Sequence, residues 1–214
     1  MATKLGVWNL ALQALGNERL SDTGNPGRAS NELASCYSQV VNECLAAGSW
    51  NFAMEDVEIT GDTGLITSRV GNQYGFAKPS DWVRTIAISY NEHFTTPLLD
   101  YYDDADIWKV DSTPIYVRYV SNDTGLGFDL ASWPAQFTRF VSLELASRVG
   151  PAITQNMSLI ERVEKLRDLA RRRALNTDAM NEAQPKFQPP GSWTTARWGG
   201  RARGDRGSRG NLTG

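Results

Sequence analysis

The chain holds a single imidazole, His93, within "SYNEHFTTP", a stretch that reads as a loop between strands. A hydrolytic triad needs a nucleophile within reach and a third group to orient the base. No spacing in the sequence supplies either, so His93 reads as a solvated or structural residue. The densest acidic stretch is "LLDYYDDADIWKVD", carrying Asp100, Asp103, Asp104 and Asp106. Oxygen ligands of that kind can hold calcium, but an EF-hand loop needs a glycine at its sharp turn and a distal glutamate. Lys109 stands where the glycine should be, and these residues read as solvated surface acids. Paired carboxylates also cleave glycosides, although any acidic surface contains such pairs. "TGLGF" at 124–128 has Gly125 and Gly127, half of a dinucleotide fingerprint, and reads as a hairpin turn. "LARRRAL" sets Arg171, Arg172 and Arg173 on a helix, where three successive positions spread over about 300° and form no single phosphate-gripping face. An Asp168–Arg172 pair at i, i+4 is expected there, with an inter-subunit role as the alternative.

The last constellation is the C-terminal "GSWTTARWGGRARGDRGSRGNLTG". It cannot build a core, yet it carries two tryptophans and five arginines. Its RGD at 203–205 is what a segment so rich in Arg and Gly produces by chance. Residues 191–214 hold Arg197, Arg201, Arg203, Arg206 and Arg209 against Asp205, a net +4, whereas the other 190 residues carry 17 basic and 23 acidic groups, a net −6. An acidic body with a basic tail points to a tail that binds something negative. Arg interleaved with Trp and Gly suits single-stranded nucleic acid, and it suits equally a protein groove that accepts Arg and Trp anchors.

These groups must be positioned by 214 residues, enough for a proper core, at 41% hydrophobic content and mean hydropathy −0.40. No apolar run approaches the ~18–20 residues of a membrane span. The N-terminal "MATKLGVWNLALQALGNERL" is interrupted by Asn9 and Gln13 and reads as an amphipathic helix, not a signal peptide. Cys36 and Cys44 fall on one helix roughly 12 Å apart, beyond disulfide reach.

Leu5, Trp8, Leu12 and Leu15 form a helical stripe that Gly16 can cap. Ala29, Leu33, Cys36, Val40 and Cys44 line a second helix that Gly48 can end. "DVEI", "QYGFA", "WVRTIAIS" and "PIYVRYV" are short β-branched or aromatic runs bounded by Gly, Pro, Asn and Asp, the pattern of an antiparallel sheet or small sandwich. Helix returns at Pro134, with a stripe of Phe137, Val141, Leu145 and Val149 before a Gly150-Pro151 break. A long helix starts near Ser158, where "SLIE" has capping-box form, and fades near Ala183 ahead of the proline-rich "QPKFQPPG". The expectation is an α+β chain in which N- and C-terminal helices form a helical bundle with an inserted antiparallel β region and an extended C-terminal arm. Its blocks are 1–50 (helices), 51–131 (β region), 132–184 (helices) and 185–214 (arm).

Read in order, "LALQALGNERLSD", "CLAAGSWNFAMEDVEI", "YGFAKPSDWVRTIAI" and "WPAQFTRFVSLELASRVGPAIT" resemble the tail tubular protein A family, the head-to-tail adaptors of short-tailed phages. The positions that carry the resemblance are Trp50, Phe52 and Ala53, then Tyr74, Pro79, Asp81, Trp82 and Arg84, then Pro134 and Phe137. It covers about residues 5–185, and the Arg/Gly end from about 199 departs from the common pattern.

The resemblance implies a virion structural protein, not an enzyme, with no cofactor and no metal. Such a protein is made in the host cytoplasm and resides in the virion tail below the portal vertex, with no membrane partner. Its partners would be the portal ring, the tail nozzle protein and further copies of itself in a dodecameric ring. Genomic DNA would pass through that ring without sequence-specific binding. Family C-terminal segments clasp the portal; here Trp193 and Trp198 would be anchors, and Arg197, Arg201, Arg203, Arg206 and Arg209 would meet acidic portal surface. The resemblance also carries an alternative, a tail-associated cell-wall or polysaccharide hydrolase, for which Glu55, Asp56, Asp103 and Asp104 are the candidate carboxylates. A nucleic-acid-binding protein with a basic tail is the remaining reading.

Overall fold

The computed structural model describes residues 2–24, 27–65 and 73–181, which belong to one compact unit ending at Asn181. The chain begins with α1 (Lys4–Ala14), whose first turn is capped by Thr3 Oγ1 accepting the Gly6 N–H at 3.1 Å. Val7, Trp8, Ala11, Leu12 and Leu15 are buried along it. As expected, Gly16 ends the helix in the left-handed region, φ 68°, and Asn17 N–H reaches back to Leu12 O at 2.9 Å.

In α2 (Arg28–Ala46) the buried face is wider than the expected stripe. Leu33, Val40 and Cys44 are joined by Tyr37, Val41 and Leu45, while Ala29 and Cys36 are only half-buried. The helix is covered on two sides: Tyr37 meets the Trp8 ring edge-on, and α3 packs along it. Both cysteines are free thiols, and burial raises the pKa of each, that of Cys44 strongly.

Helix α3 (Ala135–Ile153) packs against α1, α2 and α4, so it buries residues on most sides, from Phe137 to Gly150. Pro134 occupies the cap position just before it. The expected break at Gly150-Pro151 does not occur. The helix runs on to Ile153 with Pro151 in its last turn, where little helix remains for the missing N–H to disrupt. Helix α4 (Met157–Asn181) follows, and its cap is not the expected Ser158. Asn156 Oδ1 accepts from Leu159 N–H at 3.3 Å and from Ser158 Oγ at 2.7 Å.

Between α2 and α3 the described residues form six strands in two antiparallel three-stranded sheets. β1 (Met54–Ile59), β3 (Trp82–Ser89) and β6 (Ile115–Ser121) pair in the order β1-β6-β3, and β2 (Tyr74–Ala77), β4 (Tyr102–Asp103) and β5 (Ile107–Val110) in the order β2-β5-β4. The sheets enclose a second core of Phe76, Ile88, Leu98, Trp108, Val110, Ile115, Val117 and Tyr119. Val120 from β6 instead joins the helical core, with Val83 and Ile86 of β3 packed against it. Register shifts at Trp82/Arg84 and Thr85/Ala87 let β3 serve both cores. The "TGLGF" segment is not a hairpin; it forms turns leading from β6 toward α3. A Cβ on Gly127 would collide with the Ser121 carbonyl oxygen, so glycine is required there by close approach.

Candidate functional site

Nine of the ten motif positions, spread from residue 50 to residue 137, gather into two places, the turn from α2 into β1 and the loop between β2 and β3; Tyr74 stands apart on β2. In the first, the chain leaves α2 through Gly48, where a Cβ would come within 2.5 Å of Leu175 on α4 and 3.0 Å of the Trp50 ring. Trp50 turns inward and its indole N–H donates to Cys44 O at 2.9 Å. Ala53 N–H donates to Trp50 O at 3.0 Å, closing a short 3-10 turn. Phe137, positioned by Pro134 at the head of α3, lies 4.8 Å from both the Trp50 and Phe52 rings and 5.0 Å from Trp133. Helix α4 locks this turn from above. The buried Asp178 carboxylate accepts Asn51 N–H at 3.1 and 3.2 Å, and Asn51 Nδ2 donates to Asp178 O at 2.9 Å.

The second place is the loop from Lys78 to Arg84. Lys78 Nζ, with its side chain 5% exposed, sits 3.7 Å from the Trp82 ring centroid, 2.5 Å from Asp103 Oδ1 and 2.6 Å from Asp104 O. The Trp82 and Trp108 indole N–H groups both donate to Thr85 Oγ1, at 3.1 and 3.0 Å, and Thr85 Oγ1 donates to Asp103 Oδ2 at 3.1 Å. Pro79 O accepts the Trp82 N–H at 3.1 Å. Arg84 reaches across to the helices and donates to Ala46 O, at the carbonyl end of α2, at 3.4 Å. Asn122 Nδ2 donates to Asn42 Oδ1 on α2 at 3.0 Å, a second tie. Tyr74 is half-buried on β2 against the sandwich core.

Asp81 and Glu55 converge on one hydroxyl. Tyr119 Oη lies 2.9 Å from Glu55 Oε2 and 3.2 Å from Asp81 Oδ2, and Ser121 Oγ also donates to Asp81. Burial, then the two carboxylates, raise the Tyr119 hydroxyl far above its ordinary value, so it stays a donor. The other carboxylates of the hydrolase reading hold cations. Asp56 takes Arg118 through two bonds of 2.7 Å, Asp103 holds Lys78, and Asp104 lies 2.5 Å from Lys109 Nζ. Each of these three carboxylates is engaged by a cation, while its side chain keeps more than a third of its surface exposed.

His93 is exposed in the loop after β3, 3.4 Å from Glu92. Among the described residues no three His, Cys, Asp or Glu side chains gather as a metal set. Asp168 pairs with the adjacent Arg167 at 3.0 Å, not with Arg172 as expected, and Arg167 also lies 3.7 Å from Glu144. A cavity of about 760 Å³ is an open groove between α1 and the start of α3, lined by Leu10, Gln13, Trp133 and Thr138 among others. None of the ten motif positions lines it. The arm residues Trp193, Arg197, Trp198, Arg201, Arg203, Arg206 and Arg209 lie outside the described residues, as does the RGD at 203–205.

Sequence reasoning missed Lys78, Thr85, Trp108, Tyr119 and Ser121. Lys78 and Thr85 had a signal, their places within the quoted "YGFAKPSDWVRTIAI"; the contacts of Trp108, Tyr119 and Ser121 join distant segments. Compared with protein-family models and with curated proteins, the sequence matches none.

Proposed function

We propose that this protein is a head-to-tail adaptor of a short-tailed phage. It forms a ring between the portal and the tail nozzle, extends the DNA channel, and docks on the portal through residues 185–214. The observation that carries this reading is the gathering of nine of the ten motif positions at the α2–β1 turn and in the β2–β3 loop that Arg84 ties to α2. The resemblance rests on those positions, and they do architectural work, fixing the angle between the helices and the sandwich. A ring subunit needs such rigidity, because a small error in shape accumulates around a closed ring. In this reading the helices form a bundle as the ring wall, the β region is inserted as one body, and the last block extends as an arm.

Charge supports the same assignment. The acidic remainder, at net −6, suits a conduit that must release DNA, and the +4 segment suits an acidic portal surface. Repetition around a ring turns a modest arm into a firm joint. The hydrolase reading is disfavoured by the cations on Asp56, Asp103 and Asp104 and the tyrosine on Glu55.

The test is native mass spectrometry of the protein with its cognate portal, full-length beside a chain ending at Pro190. Loading by the full chain alone supports the adaptor with its arm as the joint. Equal loading by both keeps the adaptor and discards the arm. Loading by neither overturns the reading.

A further inference from the structure

The sequence showed a run of arginines on a helix and a run of aspartates in a loop, and neither is used up by the contacts of the subunit. On α4, Arg162, Lys165, Arg172 and Arg173 fall with Leu169 and Met180 inside one sector of about 100°, and no Asp or Glu stands in it. The sector runs about 16 Å along the axis from Arg162 to Arg173. None of these four cations has a side-chain partner among the described residues. Leu169 is 44% and Met180 84% exposed. Four unneutralised cations beside two exposed apolar side chains describe a docking face, not an ordinary solvated one.

The complement is on the same chain. At the edge of the second sheet, the segment 99–106, "LDYYDDAD", includes β4, which among the described residues pairs only with β5. Leu99 is 86% and Tyr102 65% exposed, the former the most exposed large apolar side chain among the described residues. Asp103 and Asp104 are held by Lys78 and Lys109, but the carboxylates of Asp100 and Asp106 have no partner among the described residues. Residues 51–131 carry 13 acidic against 5 basic groups, so this edge lies in the most negative part of the chain.

We propose that the basic face of α4 in one copy docks on the 99–106 edge of the next copy. Arg162, Lys165, Arg172 and Arg173 meet Asp100 and Asp106, and Leu169 and Met180 cover Leu99 and Tyr102. The two patches differ and sit on different parts of the subunit, so the contact is head-to-tail, the kind that closes rings. Nucleic acid fits the α4 face less well, because phosphates would leave Leu169 and Met180 uncovered and Leu99 and Tyr102 unexplained. The inference deepens the adaptor reading and rests on it for the ring.

The test uses the full chain in sedimentation over a concentration series at low and high salt. One variant carries Arg162→Glu and Arg172→Glu, a second Asp100→Lys and Asp106→Lys, and a third all four. The wild type should self-associate at low salt and weaken as salt rises. Each two-site variant should associate at least about tenfold more weakly, and the four-site chain should recover. Recovery would exclude misfolding as the cause of the loss. Three results would overturn the contact: a wild type monomeric up to millimolar concentration, two-site variants that associate like wild type, or an α4 variant that loses only binding to a labelled duplex. Portal loading measured beside it separates the two readings. Self-association without loading keeps the contact and removes the adaptor, and loading without self-association does the reverse.

Discussion

At the scale of single residues, two aromatic side chains show opposite uses of burial. Tyr37 is 7% exposed and its hydroxyl has no partner among the described residues, while burial pushes its pKa up to about 12. A raised folded value means the protonated form is favoured in the native state. Stability from this group is therefore intact below the unfolded value of about 10 and lost as pH rises from there through about 12. Tyr37→Phe should leave neutral-pH stability unchanged or slightly higher and flatten the alkaline decline, read by thermal melts from pH 8 to 12; an unchanged alkaline slope would sink the assignment. Trp50 is the contrary case, because its indole N–H is matched to Cys44 O and its ring is packed by Phe52, Phe137 and Phe140. Trp50→Ala should cost about 3–5 kcal/mol in urea unfolding. The apolar character of Trp50 could be read from the sequence, and its partners could not, since Phe137 lies 87 positions away.

At the scale of elements, the joints between helices and strands carry the sharper tests. Gly48→Ala drives a methyl against Leu175 and Trp50, an overpacking cost of about 1–3 kcal/mol. Adding Leu175→Ala should return part of that loss; if the double variant is merely the sum, α4 is not what crowds Gly48. Asp178→Ala should cost about 1–3 kcal/mol by stranding the Asn51 N–H, with Asp178→Asn milder. Helix periodicity located four helices to within a few residues, and short β-branched or aromatic runs located four strands. β4 and β5 were missed because "DYYDDADIWKV" was dominated by its charges. Trp108 and Val110 are buried in a core shared with Phe76 on β2, Ile88 on β3 and Ile115 and Val117 on β6. The caps were harder still: Ser158 and Asn156 are both good candidates, and the choice depends on where the chain leaves α3.

At the scale of the whole molecule, the adaptor reading predicts no bond-breaking chemistry. Dye release from labelled peptidoglycan should match a buffer control, and release lost in Glu55→Gln would instead restore the hydrolase reading. Length, composition and periodicity by themselves determined the α+β class, the helix–strand–helix order and the contrast between an acidic remainder and a basic C-terminal segment, because each depends only on local residue type and spacing. Tertiary structure alone decided which charges are spent and which are free. Asp56, Asp103 and Asp104 look like Asp100 and Asp106 in the sequence, yet the first three meet Arg118, Lys78 and Lys109. A carboxylate's chemistry is set by whichever cation folding brings within a few ångströms, and that proximity is not encoded in any local pattern.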